Sequence, residues 1–223
     1  MIYSYGPATT DNNVYVTNAL YSLQAPVETN VLYEDGNGKV YKEVNKTWLT
    51  PHAMLAEQTI LYDSSGNRNA GSATVRCYDA NEQVTNAYEY GFQSEGSYPG
   101  DQSCYASVTK IGSLNNSYLG PLRRQTTTAY HPFFTWNGGT PPTWSGTHIV
   151  NAPDSVTVAD GTGATAKQTL FSYDQNSLQS SGAINLTNPG STRANVTTLQ
   201  RLISAAPTRR LRTTTTIPDR FLR

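Results

Sequence analysis

Short runs in which apolar and polar residues alternate recur along this chain, separated by clusters of Asp, Asn, Gly and Ser. The clearest case lies between Thr29 and Trp48. Val31 and Tyr33 alternate with polar neighbours, and Asp35-Gly36-Asn37-Gly38 supplies a turn. Val40, Lys42 and Val44 then share one face, with Tyr41 and Glu43 on the other. A period of two interrupted by residues that tolerate positive φ predicts a β-hairpin. The pattern continues with Gln58–Tyr62, the turn Asp63-Ser64-Ser65-Gly66, a strand over Ala73–Tyr78, the turn Asp79-Ala80-Asn81 and a strand over Gln83–Tyr90. It returns with Ser155–Val158, Asp160-Gly161-Thr162-Gly163, Thr165–Tyr173 and Asp174-Gln175-Asn176. Leu122–Tyr130 and Ala194–Arg201 add two more strands. No segment sustains a 3.6-residue period, so any helix is short.

The intervening stretches set the organisation. Residues 91–121 and 131–151 are rich in Gly, Pro, Ser and Asn and are expected to form long irregular loops. Residues 1–201 therefore form a single β region. Residues 202–223 are expected to be a basic, disordered tail, since Arg201–Arg223 holds six arginines against the one acid Asp219. The opening Met1–Pro7 resembles the middle of a strand and turn, which suggests that the chain starts partway through a larger protein.

Composition supports sheet over helix. Charged residues make up only 14% of the 223 residues, and polarity comes from Thr, Ser, Asn, Gln and Gly. Fifteen tyrosines outnumber five phenylalanines, which suits rings lying on a sheet face with the hydroxyl in water. The 16 basic and 16 acidic residues balance, leaving no global field to attract nucleic acid. No stretch approaches the roughly 20 apolar residues of a membrane span, and residues 1–25 lack the pattern of a signal peptide. Cys77 and Cys104 are a candidate disulfide, with two free thiols as the alternative.

The turns form a repeat. Asp-x-x-Gly occurs as Asp35–Gly38, Asp63–Gly66 and Asp160–Gly163, after Tyr33-Glu34, Tyr62 and Val158-Ala159. Tyr78-Asp79 and Tyr173-Asp174 keep a Tyr-Asp pair but carry Glu82 and Ser177 in place of Gly. The Asp side chain can accept backbone N–H bonds within the turn, and Gly permits the left-handed conformation. On these residues the chain resembles the YD-repeat, or Rhs, family. Tyr62–Asn67, the Tyr-Asp pairs at 78–79 and 173–174, and Val156–Gly163 leading to Ser172-Tyr173-Asp174 carry the likeness over roughly residues 29–201. Gly120–Thr128 is similar to connecting sequence in large bacterial members.

The resemblance implies an all-β fold: consecutive antiparallel β-hairpins of a YD-repeat ribbon or partial shell, with long irregular loops and little helix. In large members the ribbon spirals into a hollow shell that can enclose a C-terminal toxin, and animal teneurins use a similar shell in adhesion. It implies a structural role at the cell surface or outside the cell, with the rest of a larger repeat protein or its enclosed domain as partner. The chain departs from the pattern in its degenerate copies and in lacking a recognisable self-cleaving segment or toxin domain, so no enzymatic part is carried over.

Candidate chemistry is sparse. Glu34 and Asp35 are adjacent, so on a strand they point to opposite faces, whereas glycosidase chemistry needs two carboxylates facing one bond. The acidic turns offer too few oxygen ligands for calcium. His52, His131 and His148 have no His or Cys partner at zinc-ligand spacing. There is no Gly-x-Ser-x-Gly elbow, and Gly161-Thr162-Gly163 lacks the Lys and helix of a phosphate cradle. Neither an enzyme, nor a metal, nor a cofactor is expected. Trp136 and Trp144 in the 131–151 segment are candidates for a sugar-stacking or partner platform, with pinning of the loop as the plainer role. They leave open an alternative, a secreted β-sandwich module that binds carbohydrate or protein.

Overall fold

A computed structural model describes residues 1–7, 26–79, 81–93, 119–137, 143–146, 149–176, 192–203 and 211–216. These residues are all β, built from consecutive antiparallel hairpins, with no helix among them. None of the described residues forms a helix long and apolar enough to cross a membrane. The chain divides into two compact units, Met1–Thr126 with Asp160–Gly163, and Thr127–Ala159 with Ala164–Arg223. This division replaces the single region expected over residues 1–201. Strands of an open sheet pack mainly on their immediate neighbours, so no common core gathers the whole chain.

In the first unit, β1 (Ile2–Pro7), β2 (Pro26–Glu34), β3 (Val40–Thr50), β4 (Ala53–Tyr62), β5 (Arg68–Tyr78) and β6 (Val84–Gln93) each pair antiparallel with the next. β7 (Leu119–Tyr130) begins here, and Leu119 makes a parallel bridge to Gly71 of β5. Burial alternates along β5, where Ala73, Val75 and Cys77 are buried and Ser72, Thr74 and Arg76 are not. Register aligns this face across strands: Ala56 lies opposite Val75, and Val75 opposite Tyr88. Ala56, Ala73, Val75, Cys77, Tyr88 and Tyr90 form one core cluster, with Leu122 packed against it.

A second cluster, Leu49, Ala53, Leu55 and Tyr78, forms around the β3–β4 connection. That connection is short because Thr50 Oγ1 accepts the N–H groups of His52 and Ala53 at 3.3 and 3.1 Å. β3 is buried on both faces at Glu43 and Val44, because Val44 pairs with the buried Val31 and Glu43 with Leu32. Alternation alone had put Glu43 on the face opposite the valines, which is where it lies, but not in solvent.

In the second unit, β10 (Pro153–Asp160, up to Ala159), β11 (Thr165–Tyr173), β12 (Val196–Ile203) and β13 (Leu211–Thr216) pair antiparallel in sequence. β8 (Phe134–Asn137) and β9 (Thr143–Gly146) form a separate two-stranded sheet. Two sequence expectations are corrected here. Residues 131–151 contain a hairpin where a loop was expected, because Phe134, Trp136 and Trp144 are aromatic positions at period two that favour strand. The expected disordered tail contains β13, since the β-branched run Thr213–Thr216 pairs with Thr198–Arg201. Most of the expected 91–121 loop lies outside the described residues.

Ile60 is completely buried on β4. Ile60→Ala is expected to lower the unfolding free energy by about 2–5 kcal/mol, measured by urea denaturation. A loss below about 1 kcal/mol would place Ile60 outside the packed core.

Candidate functional site

Four hairpins close in the same way. Asp35, Asp63 and Asp79 each donate their own N–H to the carbonyl four residues on, at Lys39 (2.9 Å), Asn67 (2.8 Å) and Gln83 (3.0 Å). The residue three after each Asp donates back to the Asp carbonyl: Gly38 at 3.1, Gly66 at 3.0 and Glu82 at 3.1 Å, with Gly163 donating to Asp160 at 3.0 Å. One carboxylate oxygen accepts the N–H two residues on, from Asn37 (2.8 Å), Ser65 (2.8 Å), Asn81 (2.9 Å) and Thr162 (2.9 Å). In the first three turns the same oxygen also accepts from Lys39 (3.0 Å), Asn67 (2.9 Å) and Gln83 (2.9 Å). At Asp160 the Thr162 hydroxyl donates to that oxygen at 2.7 Å.

The third residue is left-handed in every case, with φ of 79° at Gly38, 82° at Gly66, 58° at Glu82 and 88° at Gly163. The repeat thus needs a backbone conformation rather than a glycine, and Glu82 meets it under strain. Strand register slips at a matching place. The residue before each Asp pairs five residues after it: Glu34 with Val40, Tyr62 with Arg68, Tyr78 with Val84, and Ala159 with Thr165. Tyr41, Asn69, Thr85 and Ala166 are therefore the extra residues of β-bulges.

Asp174 closes the β11–β12 connection with the same ends. Its N–H donates to Asn195 O at 3.0 Å, and its carboxylate accepts from Arg193 (2.8 Å), Ala194 (3.0 Å) and Asn195 (3.1 Å). Ala194 is left-handed at φ 54°, Tyr173 pairs with Val196, and Thr197 is bulged. The left-handed residue follows the Asp by twenty positions here instead of three. Ser177, which the sequence alignment of turns had put at this place, lies outside the described residues. The buried Thr197 donates its hydroxyl to Ser172 O at 3.1 Å, as bulged Thr85 does to Cys77 O at 3.4 Å.

The tyrosine of the Tyr-Asp pair braces the preceding strand. Tyr62 donates its hydroxyl to Glu43 Oε2 at 2.6 Å, Tyr78 to Met54 O at 2.7 Å, and Tyr173 to Pro153 O at 2.7 Å. Tyr33 sits one position farther from its Asp and does something else, with the Lys42 ammonium 4.8 Å from its ring centroid.

Sequence reasoning gave Glu43 no role beyond its place on a strand face. Its Oε1 accepts from Asn30 Nδ2 and Asn45 Nδ2, both at 3.1 Å, and its Oε2 from Tyr62 and from Arg68 Nη2, the latter at 3.1 Å. Burial alone pushes this carboxyl up, but the hydrogen bonds from Tyr62, Asn45 and Arg68 and the charge of Arg68 hold it below its ordinary range. Burial and the Glu43 charge push the Tyr62 hydroxyl up. The signal for Glu43 was a lone acid in the middle of an apolar strand.

Among the described residues, no group of three or more His, Cys, Asp or Glu side chains could hold a metal ion. His131 Nδ1 lies 2.6 Å from Asp154 Oδ1, and its ring packs against Phe133 and Tyr173 with centroids 4.1 and 5.5 Å apart. No zinc-ligand spacing could have found this pair, because 23 residues separate its members. Trp136 and Trp144 are register partners on β8 and β9, and their side chains lie outside what is described. Cys77 is disulfide-bonded, and the chain's other cysteine, Cys104, lies outside the described residues. No family model and no curated protein matches this chain.

Glu82→Gly is expected to raise unfolding free energy by about 0.5–1 kcal/mol, while Gly38→Ala and Gly66→Ala each lower it by about 1 kcal/mol. Chemical denaturation reads all three, and equal effects in one direction would contradict the shared turn. Because the folded Glu43 titrates low, its ionised form stabilises the fold above its unfolded value, about 4.3. That contribution is lost as pH falls through the lower folded value. The stability gap between wild type and Glu43→Gln should therefore narrow from pH 7 to pH 3. A constant gap would sink the assignment.

Proposed function

We propose that this chain is a structural segment of a YD/Rhs-repeat protein, forming part of a β-sheet shell that encloses or displays another domain. The observation that carries this reading is one hairpin end, built of Asp, a left-handed residue and a bulge, repeated with the same hydrogen bonds at Asp35, Asp63 and Asp79. A wall of consecutive hairpins needs each strand set against the next, and such an end sets it locally. The tyrosine braces to the preceding strand serve the same purpose. The chain acts without catalysis, and its partner is the remainder of a larger repeat protein or the domain within it. The Cys77 disulfide suits an extracellular or cell-surface setting.

A second reading is a secreted β-sandwich binding module, favoured by Trp136 and Trp144 lying opposite each other on β8 and β9. The two readings differ at the sheet edges. β1 and β13 have a paired neighbour on one side only, and open edges invite strand pairing. Size-exclusion chromatography with light scattering should show concentration-dependent self-association of the isolated chain. A clean monomer at every concentration, with sharp thermal unfolding, would overturn the wall reading.

A further inference from the structure

The exposed face of the first unit carries a recess of about 360 Å³ across β4, β5 and β6. Its origin is in the register. Glu57 lies opposite Thr74 and Thr74 opposite Glu89, while Thr59 lies opposite Ser72. Short hydroxylated side chains on the middle strand thus lie between longer acidic ones on the flanking strands, which leaves a trough. Two strand spacings make that trough roughly 10 Å wide. Gly91 deepens it: a Cβ there would come within 2.7 Å of Arg123 Nε, so the absent side chain is what lets the Arg123 stem lie across β6.

The lining mixes three kinds of hydrogen-bonding group. Carboxylates only accept, the Arg123 guanidinium only donates, and the Thr and Ser hydroxyls do both. The charges nearly cancel, because Arg124 already pairs with Glu89 through Nε at 2.9 Å and Arg123 stands against Glu57 in the count. A polycation and a polyanion are both disfavoured by that balance. Phe92, 52% exposed, adds an aromatic surface to the same lining. Convergent donors and acceptors beside an aromatic ring, in a volume of a few hundred Å³, match a polyhydroxylated ring with an apolar C–H face.

We propose that this recess binds a neutral oligosaccharide. Glu57 and Glu89 accept from sugar hydroxyls, Arg123 donates to them, and Phe92 stacks on a ring face. The site is separate from Trp136 and Trp144 and does not depend on the chain being a wall segment.

The test is isothermal titration of the whole chain with cellohexaose, xylohexaose, maltohexaose and mannohexaose. Titrations are repeated with Thr74→Arg, which fills the trough, with Phe92→Ala, and with the Trp136→Ala/Trp144→Ala pair. Circular dichroism confirms that each variant is folded, and Phe92→Ala, at an exposed position, keeps the test valid if Thr74→Arg is not. Binding of at least one of these sugars, weakened tenfold or more by Thr74→Arg or Phe92→Ala and unchanged in the Trp double variant, supports the proposal. Binding of none of the four overturns it. So does binding that is insensitive to the recess variants, or binding that is lost with the two tryptophans.

Discussion

One carboxylate oxygen turned back onto the backbone N–H groups of its own turn is the constraint on which this structure depends. It fixes where a strand stops, forces a left-handed residue three positions on, and places a bulge on the returning strand. Register along each hairpin follows from that start. The register then decides which side chains meet: Ala56 with Val75, Val75 with Tyr88, Val31 with Val44. A one-residue slip would turn each of these to the other face. The apolar clusters are therefore a consequence of the turns as much as a cause of the fold.

The same constraint limits the chemistry of the turn acids. Backbone hydrogen bonds from Lys39 and Asn37 hold Asp35 below its ordinary range, and those from Asn67 and Ser65, against a small opposing effect of burial, do so for Asp63. Groups held ionised in this way are poor proton donors near neutral pH. Glu43 is similarly committed, with donors from Asn30, Asn45, Tyr62 and Arg68 on its two oxygens. It ties β2, β3, β4 and the start of β5 together through polar contacts on a face where neighbouring strands use apolar ones.

Much of the first unit was legible in the sequence because period-two alternation and Asp-rich turns are local signals. The strands around Val31, Val44, Ile60, Val75 and Tyr88 were all found that way. The turn at Asp79 was legible as a Tyr-Asp pair, but its equivalence to the others was hidden, since Glu82 occupies a position that composition assigns to glycine. β8 and β9 were missed because flanking Pro and Gly outweighed four-residue strands. β13 was missed because clustered arginines suggested solvation while the threonine run paired instead. The groupings of Glu43 with Tyr62 and Arg68, and of His131 with Asp154, depend on pairings across 19 to 25 residues, which no local pattern reports.

Asp174 and Ala194 show that the closing hydrogen bonds do not require a short connection. The same clamp forms although twenty positions, not three, separate the Asp from its left-handed partner. For a flexible chain, lengthening a loop that much costs about 1.7 kcal/mol in closure entropy. The carboxylate's three backbone bonds, each contributing on the order of 1 kcal/mol, are enough to offset it. Sequence can therefore be gained or lost between the two halves of the clamp while the flanking strands keep their partners. Such a hairpin end acts as a socket whose cargo can change over evolution, or by grafting, without renegotiating the sheet.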